Sequence, residues 1–496
     1  MKKWFSLLLA ICLMMCALPM AATAEEPLEI QMTVRLFDQV PDMTNDYWTR
    51  YQEITNTKLD VEWIPDADYA TKLNLILASG DLPEVLVANC SNNLNNSAFL
   101  TAVKNGAFWD LTDILGDFSN YPNLRDNVAP DAWTLNRTFG RIYGIPQNVS
   151  KVQGAPIFRQ DLFEEAGVAL PTTMDEFITA LQAVKAANPG MIGLVSKQDV
   201  FVNSDGGLAC AFGADRPWFN EEGGLIFRKL TPGYTKFVAW MRKAYEAGIL
   251  SEEFAVMAPT QATELFQSGN AIAFINESMR WCYPFTDMLQ AVKPGAVAQC
   301  LPPMLGEDGN YSVSVGSGII DSMFISAKVP KEKVLKILDY FEKTTTEEFY
   351  DITTYGFEGI HYTLDESGYK VTTEQRNQDM GSSAPWQVLP LMYNPYMKTD
   401  ATAAPAEYNM KQREYVDSWG FFEKGTLDPF TIATSEKWIT LWPRYVNEWA
   451  STAVKAVIGQ ISMEEYEAYV AKLNENPDIK AAYLEFADSY KAVFGE

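Results

Sequence analysis

A single histidine, His361, bounds the chemistry open to this chain. A Ser-His-Asp hydrolase would have to use it as its base, and a multi-histidine zinc site cannot form. His361 lies in Gly359-Ile360-His361-Tyr362 beside Glu358, a setting that reads as structural. Neither G-x-S-x-G nor H-E-x-x-H occurs. The 64 acidic residues leave a facing carboxylate pair of the glycosidase type open, but no spacing singles one out. Cys90, Cys210, Cys282 and Cys300 form no C-x-x-C pair, so they read as free buried thiols and not as a zinc or redox centre. No metal and no cofactor is expected.

Aromatic residues are the richer signal, with 13 Trp, 23 Tyr and 27 Phe. A sugar ring presents a flat CH face that an indole or phenol matches, and its hydroxyl edges call for amides, carboxylates and guanidinium groups around that platform. Trp281 has Asn276, Glu277 and Arg280 beside it, Trp386 follows Gly381-Ser382-Ser383-Ala384, and Trp218 follows Asp215-Arg216-Pro217. Packing is the competing reading for each. Trp48, Trp240, Trp438, Trp442 and Trp449 fall in helical patterns and read as core. Arg159, where Pro156-Ile157-Phe158 gives way to a helix, can fork onto sugar hydroxyls or a carboxylate, or pair with Asp161 or Glu164 to brace its surroundings. Gln147 and Asn148 are donors to a ligand or ordinary hinge polarity.

The elements that must position these groups are legible from periodicity. Residues 28–37 read as a strand, 48–55 as a helix, 59–64 as a strand, 66–78 as a helix and 84–88 as a buried strand. That βαβαβ order implies a parallel sheet, whose carboxyl edge is where ligands gather. Phe37-Asp38 and Asn89-Cys90-Ser91 therefore fall at the rim of a cleft. The stretch Ile142–Val184 reads as the crossing into a second lobe. It carries the extended Tyr143-Gly144-Ile145-Pro146-Gln147, and a capping box of Thr173 with Glu176 opens a helix with Phe177, Leu181 and Val184 on one face. Ala271–Ile275 reads as a buried strand, followed by Asn276, Glu277, Arg280, Trp281 and Tyr283. Residues 318–327 read as a second return strand and 330–343 as a helix. Residues 370–430 have no clear period, and Ser462 with Glu465 opens a C-terminal helical region.

At several of these places the chain resembles the family 1 extracellular solute-binding proteins, receptors of bacterial ABC importers, and among them the long lipoprotein-type and oligosaccharide-binding group. The resemblance rests on Ala78-Ser79-Gly80-Asp81-Leu82-Pro83-Glu84, Tyr143 to Pro146, Arg159 to Phe177, and Tyr355-Gly356-Phe357-Glu358-Gly359-Ile360-His361-Tyr362, in the family's order. It implies an α/β, periplasmic-binding-protein-like type II fold, two lobes with an interlobe cleft and a helical C-terminal region. On that basis residues 25–148 plus 275–316 are expected to form lobe 1, and 149–274 plus 317–496 lobe 2; relatives use the strand matching Ala271–Ile275 to cross back, which implies that Asn276, Glu277, Arg280, Trp281 and Tyr283 fall near the cleft. It also implies an oligosaccharide or other small solute as ligand, the transmembrane subunits of an ABC permease as partners, and a monomer. The expected ligand-binding residues are Trp281, Trp386, Trp218, Arg159, Asn89, Gln147, Asn276, Glu277 and Asp38. Some relatives carry an EF-hand-like calcium loop; D-x-[DN]-x-[DN]-G is absent here. A secreted carbohydrate-active enzyme and a sensory receptor for a membrane kinase are the alternative readings.

Export is expected. Lys2-Lys3, the apolar Phe5–Met15 and Ala22-Thr23-Ala24 compose a signal peptide. Cys16 follows Leu13-Met14-Met15 without the small residue that usually precedes a lipidated cysteine, so cleavage after Ala24 is favoured over a lipid anchor at Cys16. The formal charge of −25 becomes −27 once Lys2 and Lys3 leave. That balance argues against nucleic acid and anionic membranes as partners, and weakly disfavours strongly anionic sugars.

Overall fold

The structure is a computed structural model that describes residues 26–88, 97–152, 154–196, 198–201, 205–275 and 278–495. Residues 1–25, which include the expected signal peptide and Cys16, and Asn89, Cys90, Asn276 and Glu277 lie outside the described residues.

Two sheets organise the chain. The first contains β1 (Leu28–Leu36), β2 (Thr57–Pro65), β3 (Val85–Ala88), β4 (Gly144–Asn148) and a late strand, Ile319–Ile325, in the order β2-β1-β3-late strand-β4. β1 runs parallel to both β2 and β3, as the βαβαβ reading expects, and the late strand is antiparallel to β3 and β4. The second sheet contains β5 (Ile157–Arg159), β6 (Ile192–Val195), β7 (Ala271–Phe274) and β8 (Ala298–Cys300), in the order β8-β5-β7-β6. The late strand is therefore β9.

Strand pairing corrects the expected lobe boundaries. β8 pairs with β5, so residues 275–316 do not complete the first lobe, and β7 does not cross back to it. The return comes with β9. Residues 317–496 divide as well: Met323 to Met397 pack in the first core, whereas Val416 to Ala487 pack in the cores of the second. The physical reason is that a four-residue apolar strand such as β7 looks the same whichever sheet it joins, while β8 has only three residues and no pattern to announce it.

Local chemistry fixes the helices. Asp46–Thr55 starts where the Asn45 side chain accepts from the Trp48 amide at 3.0 Å and stops at Asn56, whose φ of 50° ends the helix. Both expected capping boxes, Thr173 with Glu176 and Ser462 with Glu465, are formed. Trp48 and Trp449 are fully buried, and Trp240, Trp438 and Trp442 pack in or against the core. Cys210, Cys282 and Cys300 are free and buried.

Two polar residues prove to be internal braces. Arg159 is 1% exposed and forms a bidentate pair with Asp161, Nε to Oδ1 at 2.8 Å and Nη2 to Oδ2 at 2.7 Å. His361 is fully buried. Its Nδ1 accepts from the Phe357 amide at 3.0 Å, which leaves the proton on Nε2, 3.2 Å from Asp379 Oδ2. Gly356 passes against it with φ of 83°, where an added Cβ would sit 2.5 Å from that of His361. Burial is the largest influence on the imidazole and holds its pKa below the ordinary 6.5.

Two outcomes follow. Arg159→Met leaves Asp161 with Lys293 Nζ at 3.3 Å and the Val297 amide at 3.1 Å, and stability in urea unfolding falls by about 3 kcal/mol; a loss within the scatter of surface substitutions would show the pair to be dispensable. For His361, a depressed folded-state pKa means stability that is full above about 6.5 and is lost as pH falls below it. The stability gap between the native protein and His361→Gln therefore narrows from pH 7.5 to pH 5, and a constant gap would contradict a buried neutral imidazole.

Candidate functional site

A cleft of about 520 Å³ opens between the two sheets, within the range of small-ligand sites. Phe37 reaches it from the end of β1, and Ile320 from β9. Arg280, Trp281 and Pro284 reach it from the segment after β7. The third wall is the stretch that has no clear period in sequence: Arg376, Ser383, Trp386 and Gln387, then the connection around Lys398 and Asp400. A second concavity of about 550 Å³, between β1, β2 and the helix Asp66–Ser79, is lined by the first lobe alone.

The cleft leaves large apolar faces in solvent on both sides. Phe37 is 47% exposed and Trp281 37%. Phe37 lies under the Arg35 guanidinium, 4.5 Å from the ring centre. Arg35 is itself anchored through Nη2 to Asp321 Oδ2 at 2.9 Å. Trp281 stacks on Phe285, 5.8 Å between centroids at 26°. Trp386 is half-buried, and its Nε1 donates to the Thr353 carbonyl at 3.2 Å. Each ring is thus held from behind with part of its surface turned to the cleft, which costs apolar exposure unless a ligand covers it.

The polar groups divide into those already engaged and those without a protein partner. Asp38 sits at the rim, where its carboxylate accepts from the amides of Ser382 and of Gln39, the latter at 2.8 Å. Burial alone would raise its pKa, but these amides outweigh burial and hold it below the usual range. Gly381, with φ of 61°, must be glycine, since a Cβ would lie 2.8 Å from Asp38 Oδ2. Asp400 is forked to Arg413, with Nε to Oδ1 at 2.9 Å. By contrast Ser383 Oγ, Gln387 Oε1 and Thr354 Oγ1, all buried on residues that line the cleft, have no hydrogen-bond partner among the described residues. These atoms lie beneath the cleft surface, and the same lack of a partner recurs in the cores, as at Trp48 Nε1 and Trp449 Nε1.

Of the expected site residues, the structure brings Trp281 and Trp386 together in the cleft, with Asp38 at its edge. Gln147 is not in the lining: it lies 2% exposed behind the wall, where its Nε2 donates to the carbonyls of Trp386 at 2.6 Å and Leu389 at 2.9 Å. Arg159 is spent on Asp161. Trp218 lies within the second lobe, its indole N–H donating to the Gly213 carbonyl at 2.8 Å in a local turn. Asn89, Asn276 and Glu277 lie outside the described residues. Sequence reasoning missed Arg376, Gln387 and Lys398. Their only signal was a stretch rich in aromatics and prolines, because long-range hydrogen bonds and not periodicity hold that segment in place.

Comparison with known proteins agrees with this geometry. The family model described as bacterial extracellular solute-binding protein matches residues 39–347, more than half of the chain. The polygalacturonan/rhamnogalacturonan-binding protein YtcQ of Bacillus subtilis is 27% identical over 336 residues, covering 66% of this chain and 65% of that one. The lipoprotein LipO of the same organism is 24% identical over 396 residues, covering 76% and 77%. The matched stretch thus spans about two thirds to three quarters of these relatives. Among solved structures, the ABC-transporter substrate-binding protein FusA of S. pneumoniae in complex with kestose superposes with a TM-score of 0.62 at 16% identity, over 94% of this chain and 99% of that one. That likeness shows the two-lobed type II periplasmic-binding fold. By the family match and the fold together, the chain belongs to the bacterial extracellular solute-binding proteins.

Proposed function

We propose that the protein is the extracellular receptor of an ABC importer, which holds an oligosaccharide in the cleft between its lobes and delivers it to a membrane permease. The observation that carries this reading is the pair of exposed rings, Phe37 from the first lobe and Trp281 from the second, that line one cleft together with Trp386 and several polar side chains. Stacking faces plus a ring of hydrogen-bonding groups are what a saccharide requires. YtcQ, a polygalacturonan/rhamnogalacturonan-binding protein, and FusA, solved in complex with kestose, support a sugar as the ligand class.

On this reading the protein makes and breaks no bond. The one histidine is buried as a brace, and the two acids at the cleft, Asp38 and Asp400, are engaged by amides and by Arg413. The lobes are joined by chain crossings between β4 and β5, between β8 and β9, and after Met397. Such multiple connections suit hinge closure, in which the ligand bridges both walls and shifts the population toward the closed form that the permease docks. The receptor works as an exported monomer.

The reading is tested by thermal unfolding against a panel of neutral and acidic oligosaccharides, with sugar integrity followed by mass spectrometry. A cognate sugar at a thousand times its Kd stabilises the protein by about 4 kcal/mol and is recovered intact; a cleaved sugar would overturn the receptor reading in favour of an enzyme. Trp281→Ala weakens binding of that sugar by roughly 1–3 kcal/mol, the range for a ring stacked on an aromatic side chain, while the fold survives. Undiminished affinity in the folded variant would remove Trp281 from the site.

A further inference from the structure

The chain's formal charge is −25, yet the cleft is lined by basic side chains. Arg280 comes from the segment after β7, Arg376 from the helix Glu374–Met380, and Lys398 from the connection between lobes. Arg376 is 4% exposed, and all its bonds run to neutral acceptors. Its Nε and Nη2 donate to the Thr354 carbonyl at 3.1 and 2.9 Å, and its Nη1 donates to the Gly381 carbonyl at 2.7 Å and Asn377 Oδ1 at 3.2 Å. It forms no salt bridge among the described residues, and the nearby Asp38 carboxylate acts on it only through space.

Lys398 is the sharper case. Its carbonyl is pinned by the Arg280 amide at 2.7 Å and Ser278 Oγ at 3.0 Å, so the residue is held in place at the cleft. Its half-buried ammonium pairs with no carboxylate among the described residues. The charged groups that act on it are Arg280 and Arg35, both cationic, and with burial as the first cause they pull its pKa down to about 8. The acids of the same site do not offset this, because Asp400 is forked to Arg413 and Asp38 is held by amides. A cation buried beside other cations is costly unless a counter-charge arrives with something that binds there.

We propose that the cleft selects an acidic saccharide of the uronate type, its carboxylate seated at Lys398 and its sugar rings on the Trp281 and Phe37 faces. This rests on the oligosaccharide-receptor reading above and narrows it. It also reverses the inference that a strongly negative chain disfavours anionic sugars, since the field at a site is set by the charges that line it and distant surface carboxylates are screened within a Debye length of roughly 8–10 Å.

The experiment is calorimetric titration of the exported chain, without its signal peptide, with uronate trisaccharides, with the methyl esters of the same trisaccharides, and with neutral trisaccharides. Esterification removes the charge and keeps the ring. The expected result is that at least one free acid binds tenfold or more tighter than its ester, and that Lys398→Met shrinks that ratio to below threefold. Lys58→Met, at an exposed lysine of β2 paired with Glu29, leaves the ratio unchanged, and circular dichroism verifies the fold of both variants. Acid and ester binding alike, a neutral sugar binding where every acid fails, or a ratio insensitive to Lys398 would overturn the acidic-ligand inference and leave the receptor reading standing. A panel in which no saccharide binds would overturn the receptor reading itself.

Discussion

The first-lobe wall of the cleft hangs on one buried carboxamide. Gln147, at the end of β4, donates to the carbonyls of Trp386 and Leu389, which lie 239 and 242 residues further along the chain. The neighbouring Asn148 extends the same device, donating to the Leu391 carbonyl at 2.8 Å. A buried carbonyl left without a donor costs about 1–3 kcal/mol, so these amides hold the 386–391 segment against the sheet more firmly than its own irregular backbone does. Trp386, Gln387 and Ser383 face the cleft only because that segment is fixed. Asp38 completes the clamp from the end of β1 by accepting the Ser382 amide. The two residues that read from sequence as ligand-binding groups, Gln147 at the hinge and Asp38 at the rim, thus hold the cleft-lining segment in place.

This division of labour shows what was legible in the sequence. Local signals translated well. The capping boxes at Thr173 and Ser462 formed because both partners lie within one turn, and the parallel pairing of β1, β2 and β3 followed from their helical connections. Trp281 and Trp386 were readable as cleft residues because polar neighbours travel with them along the chain. The second and third crossings were not readable, since the apolar run of β7 carries no mark of which sheet will receive it. Arg376 and Lys398 were hidden for a related reason: their placement depends on hydrogen bonds to Thr354, Gly381, Arg280 and Ser278, none of which leaves a period in the sequence. Trp218 failed in the opposite sense, its polar neighbours being spent within their own lobe; its indole N–H closes a turn on Gly213.

A cleft built this way leaves interactions unmet in the absence of a ligand. Ser383 Oγ, Gln387 Oε1 and Thr354 Oγ1 have no described partner, and each such group costs on the order of 1–3 kcal/mol while it stays unpaired. Phe37 and Trp281 leave apolar area in water, and Lys398 carries a charge that its own protein does not match. On the acidic-saccharide proposal, the two deficits open to a ligand, the apolar faces and the unmatched charge, are answered by one molecule that carries flat CH faces and a negative group. A small anion would answer only the charge, and a plain hydrocarbon only the apolar faces. The deficits also sit on both lobes, so a ligand can correct them together only by touching both walls. Specificity and closure then arise from the same contacts: a ligand that answers only the first-lobe groups gains part of the available energy and leaves the second wall unengaged, whereas one that also covers Trp281 draws the lobes onto itself.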